Sequence, residues 1–108
     1  MTRERWLPHL QPYLQPANDP ELATAGVMQP KPAFQLTFLL PYASVTAFPD
    51  NFVNVSDETC LILLVADHGH ETVHKVSWGN IGTISIQFSE QSRREARQLS
   101  REIIKRRL

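Results

Sequence analysis

The chain has 108 residues, with eleven basic and eleven acidic side chains that give a formal net charge of zero. This is one domain's worth of sequence, enough for a single core without metal or disulfide support. An apolar content of 42% and a charged content of 20% are ordinary for a globular protein, and a single cysteine, Cys60, excludes an internal disulfide.

Residues 1–32 hold six of the eight prolines and are read as an N-terminal Pro-rich arm. Pro8, Pro12, Pro16 and Pro20 fall four apart in WLPHLQPYLQPANDP. Each disfavours helix at the residue before it, so one helix through 6–20 is excluded, and at most short turns over Thr2–Leu7 and Pro20–Ala25 are expected. The spacing also departs from the three-residue period of a polyproline ligand. Trp6, Leu7, Leu10, Tyr13 and Leu14 place five large apolar side chains within nine residues, too many to leave in water. They are expected to pack either on this chain's own sheet or on a partner, and are the candidate partner-binding residues.

Residues 33–88 read as strands, at about 34–40, 43–48, 51–55, 59–66, 70–78 and 81–88. The breaks between them are Pro49-Asp50, Ser56-Asp57-Glu58, Asp67-His68-Gly69 and Gly79-Asn80, the last spaced as a two-residue hairpin loop. Consecutive pairing gives a five- to six-stranded antiparallel meander. Alternation puts Ile84, Ile86 and Phe88 on one face and Thr83, Ser85 and Gln87 on the other, as in a sheet with one wet side. The run Cys60–Ala66 is apolar on both faces, which calls for a central strand covered on each side.

Residues 89–107 read as one helix, with Ser92 and Glu95 spaced as a capping box. Ala96, Leu99 and Ile103 form a stripe about 60° wide, and Arg93, Arg94, Arg97, Arg101 and Lys105 fill a separate arc about 120° wide. The helix is expected to pack on the sheet through the stripe. Residues 33–108 would then be a single α+β domain, and the order of meander and terminal helix resembles the outline of pleckstrin-homology-like domains, at the level of fold alone.

Charge is segregated along the chain. Residues 1–88 carry four basic and eight acidic side chains, a balance of −4, and residues 89–108 carry seven and three, a balance of +4. Five cations on one helical arc can meet an acidic protein surface, nucleic-acid phosphates, or this chain's own acidic body.

No constellation of nucleophile, base and oxyanion donors is present, so a non-enzymatic role without a cofactor is expected. Cys60 opens an apolar strand and reads as a small hydrophobe. His68 and His70 flank a turn and are the one candidate metal pair; His74, four residues along a strand from His70, is roughly 13 Å away. The favoured expectation is a small accessory or adaptor protein acting through a protein partner or homo-oligomerisation. A nucleic-acid-associated role for the basic helix and a metal or ligand site at the histidine turn are the alternatives. No apolar run approaches the ~20 residues that cross a bilayer, and the first residues lack a signal-peptide core, so a cytoplasmic product is expected.

Overall fold

A computed structural model describes residues 2–67 and 69–107. The chain is α+β, with eight antiparallel strands divided between two sheets and a C-terminal helix. Helix α1 (Arg3–Leu10) leads through a 3-10 turn (Gln11–Tyr13) to β1 (Leu14–Pro16), then α2 (Pro20–Thr24) and β2 (Val27–Pro30). The six expected strands follow as β3 (Phe34–Leu39), β4 (Ser44–Ala47), β5 (Phe52–Asn54), β6 (Cys60–Asp67), β7 (His70–Ser77) and β8 (Thr83–Phe88). Helix α3 (Glu90–Arg107) ends the chain.

The pairing departs from a simple meander. One sheet has the order β1-β2-β5-β6-β7 and the other β4-β3-β8. Two of the consecutive pairings expected from sequence, β4 with β5 and β7 with β8, do not form. At Gly79-Asn80 the cause is the residue before them. Trp78 is buried, and its indole Nε1–H donates to the Asp57 carbonyl at 2.9 Å. A 3-10 turn over Trp78–Asn80 replaces the tight hairpin, and the Gly82 N–H donates to the Leu39 carbonyl at 2.9 Å. The chain thereby crosses to the other sheet, where Thr83–Phe88 pairs with Phe34–Leu39 along its whole length.

The two sheets face each other across one core. Leu36 and Phe38 of β3 with Val45 and Ala47 of β4 meet Val53 of β5, Leu61, Leu63 and Val65 of β6, and Val76 of β7. These are the inward positions that period-two alternation requires. The outer faces differ in kind. On the three-stranded sheet the outward side chains are polar apart from Leu39, with Thr37 and Thr46 hydroxyls 2.9 Å apart and the Gln35 amide donating to Gln87 Oε1 at 2.8 Å. On the five-stranded sheet the outward positions include Phe52, Ile62, Leu64 and Val73, which share one face by register.

The N-terminal segment does not form an extended arm. It folds into α1, β1, α2 and β2, and Trp6, Leu10 and Leu14 bury in the same core. Helix α1 runs three residues past Leu7, with Pro8 inside it. Only a single turn follows Pro8, and burying Trp6 and Leu10 on one face offsets the hydrogen bond that Pro8 cannot donate. Pro16 lies on the edge strand β1, and Pro30 lies where β2 has run past its pairing with β5, so neither removes a ladder bond. Asp19 caps α2 by accepting from Glu21 N–H at 2.9 Å, and Gly26 follows that helix at φ 86°, the left-handed position glycine favours. Buried Gln29 stitches the segment to the core, accepting from Asn18 N–H at 2.8 Å and donating to the Pro49 carbonyl at 3.1 Å.

Helix α3 spans almost the expected range, but its cap is not the Ser92 of the expected capping box. Ser89 is its cap: the hydroxyl accepts from Ser92 N–H at 3.3 Å and donates to the Pro32 carbonyl at 2.7 Å. Those bonds tie only the base of the helix. Every described side chain from Arg93 to Arg106 is exposed, so α3 does not pack on either sheet. The molecule accordingly extends 55 × 31 × 29 Å, with a radius of gyration of 16.0 Å; a compact chain of this length has about 13 Å. With the helix standing off the sandwich, the pleckstrin-homology-like outline is not confirmed.

Candidate interaction surfaces

Helix α3 keeps its two faces apart in water. Arg93, Arg94, Arg97, Arg101 and Lys105 are all exposed, and Arg94 pairs with Glu90 one turn earlier at 2.6 Å. Such an exposed pair is worth under about 1 kcal/mol, so the arc remains a field of solvated cations. A depression of about 460 Å³ among Arg94, Arg97, Gln98, Arg101, Glu102 and Lys105 is walled by this one helix. It is a groove between long side chains and not an enclosed site. On the apolar side, Leu99 is 59% exposed, Ile103 45% and Ile104 59%. Among the described residues, no strand or other helix covers these large aliphatic groups.

A second apolar surface lies on the outer face of the five-stranded sheet. Leu22 of α2, Val27 of β2, Phe52 of β5, Ile62 and Leu64 of β6 and Val73 of β7 line a groove of about 180 Å³. Strand β6 creates it: Leu61, Leu63 and Val65 turn into the core, which leaves Ile62 and Leu64 turned outward. The doubly apolar run thus lies inside a sheet as expected, but only one of its faces is covered within the chain.

The other candidate residues divide by burial. Trp6, Leu10 and Leu14 belong to the core and are not free to contact a partner, while Leu7 and Tyr13 are half-buried. Tyr13 packs edge-on against Phe34 with ring centroids 5.0 Å apart, and Phe34 stacks on Phe88 at 5.9 Å. Of the metal pair, His70 is exposed at the start of β7, and His68 lies outside the described residues. Among the described residues no three His, Cys, Asp or Glu side chains come together as a metal site. None of the described helices is long and apolar enough to cross a membrane.

Asp57 is the one described group whose titration is clearly moved. The Thr59 hydroxyl donates to its carboxylate at 2.7 Å, and the N–H groups of Thr59 and Cys60 add bonds of 2.7 and 3.2 Å. These donors, with a smaller contribution from Lys75, hold the carboxyl below its ordinary range. Asp57 thereby fixes the turn into β6. The arrangement is structural, because the carboxylate is satisfied by its own loop.

The apolar outer face of β6 was visible in the sequence, but the groove was not, because two of its lining residues, Leu22 and Val27, come from the Pro-rich segment. Val27-Met28, after Gly26, carried the signal for β2, and the surrounding prolines obscured it. Comparison with protein-family models, with curated proteins and with solved structures gives no match, so the functional reading rests on these surfaces.

Proposed function

We propose that the protein is a small non-catalytic accessory or adaptor subunit that works by protein–protein contact, homo-oligomerisation included. One observation carries this reading: an 18-residue helix stands off the sandwich with Leu99, Ile103 and Ile104 exposed beside a basic arc. Helices in proteins draw most of their stability from packing an apolar face, and the stripe of this one is exposed in the single chain. A helix of this kind gains both stability and affinity when a groove covers its stripe, with the cations supplying orientation and encounter rate.

The test compares the full chain with a chain ending at Glu90, by size exclusion and by capture from native extract with mass spectrometry. Loss of assembly or of specific capture on truncation supports the reading. Identical behaviour of the two chains sinks it. A salt-dependent affinity of α3 for duplex or single-stranded nucleic acid, lost with Arg97→Glu and Arg101→Glu, would replace it with a phosphate-binding role.

A further inference from the structure

The chain contains both halves of a contact that it does not make with itself. We propose that α3 of one copy lies in the outer-face groove of the five-stranded sheet of a second copy, and that the exchange is reciprocal. This rests on the accessory reading above and names its partner as a second copy of this chain.

The apolar dimensions match. From Ala96 to Ile104 the helix rises roughly 12 Å, at about 1.5 Å per residue. From Val27 on β2 to Val73 on β7 the groove crosses three strand spacings, roughly 14 Å at about 4.8 Å each. Leu99, Ile103 and Ile104 then meet Phe52, Ile62, Leu64 and Val73, side chains exposed or half-buried in the single chain.

The charges match as well. The body through residue 88 carries −4 and the tail +4, so helix on body is the attractive pairing between copies. Close to the groove, Glu71 shares the outward face of β7 with Val73, and Glu21 adjoins Leu22 on α2. Lys75 lies on that same face, one inter-strand position from Ile62, and sets a repulsive end that orients the helix. A helix-to-helix seam fits less well. Ala96, Leu99 and Ile103 continue into Ser92 on one side and Arg106 on the other, short of the three to four heptads a coiled coil needs.

The area favours two contacts over one. A helix of 18 residues presents a footprint roughly 27 Å by 10 Å. Counting both partners and the whole helix, one contact buries at most about 550 Å², and two at most about 1,100 Å², just below the standard range of stable interfaces.

Sedimentation of four samples tests this: wild type, Ile103→Asp, Val73→Asp, and an equal mixture of the two variants. Ile103 and Val73 are both exposed in the single chain, so each variant is expected to keep the wild-type melting temperature at dilution, where it is a monomer. Wild type is expected to be a dimer and each variant alone a monomer. The mixture is expected to associate more than either variant alone but less than wild type, because one of its two contacts is intact: the helix of the Val73 variant still fits the sheet of the Ile103 variant. A dimer unchanged by Val73→Asp, or a monomeric wild type, overturns the exchange. If truncation of α3 then still abolishes capture of another protein, the accessory reading stands and only the second copy is excluded.

Discussion

Two buried tryptophans show how a single polar atom divides otherwise similar residues. The indole N–H of Trp78 donates to the Asp57 carbonyl at 2.9 Å, whereas that of Trp6 has no hydrogen-bond acceptor among the described residues. A phenylalanine removes a made bond at position 78 and an unmade one at position 6. Trp78→Phe is therefore expected to destabilise more than Trp6→Phe, by about 1 kcal/mol or more, in parallel urea titrations. Asp57 offers a pH test at the same scale. Its folded carboxyl titrates below the ordinary range, so its contribution is present above that range and lost as pH falls through the lowered value. Asp57→Ala should be less stable than wild type at neutral pH, with the gap between the two melting curves closing in strong acid. A gap that is constant with pH would assign the effect to packing.

At the scale of elements, burial and hydrophobic pattern outweighed local backbone preference. The prolines excluded one helix through 6–20 and limited the first turn to Thr2–Leu7, yet α1 continues through Pro8 to Leu10, because Trp6 and Leu10 gain a core by it. Leu10 is fully buried, and Leu10→Ala is expected to cost about 2–5 kcal/mol of unfolding free energy in chemical denaturation. A loose arm would lose almost nothing. Helix α3 is the opposite case. Its extent over 89–107 was legible from the polar and apolar periodicity, but the stripe, expected to pack on the sheet, carried no sign that the sheet would leave it exposed. Removing residues 91–108 should lower the stability of the monomer by less than about 1 kcal/mol in thermal melts, since no core residue is lost. The circular dichroism should nevertheless lose most of its helical signal.

For the whole molecule, the contrast between the outer faces of the sandwich matters most. Threonine and glutamine pairs make one face compatible with water, and Phe52, Ile62, Leu64 and Val73 make the other sticky. A monomer holding both that face and an exposed aliphatic helix is an incomplete packing problem. Assembly that completes it stabilises the folded chain by mass action, so the melting temperature should rise with protein concentration. In Val73→Asp that rise should vanish. Across strands β3 to β8 the residue boundaries were legible to within one or two positions, because period-two alternation is a local property. The sheet to which each strand belongs was not legible.

By itself the sequence determined six strands, the terminal helix, the two faces of β8 and the separation of a −4 body from a +4 tail. Each of these depends on the order of apolar and polar side chains within a few residues. Only the tertiary structure decided that β8 leaves β7 to pair with β3, that Trp6, Leu10 and Leu14 complete the core, and that α3 stands away from the sandwich. Those outcomes depend on competition among distant surfaces for the same apolar partners. Burying Trp78 redirects a chain that a Gly-Asn turn would otherwise have folded straight back, and local pattern carries no measure of that competition.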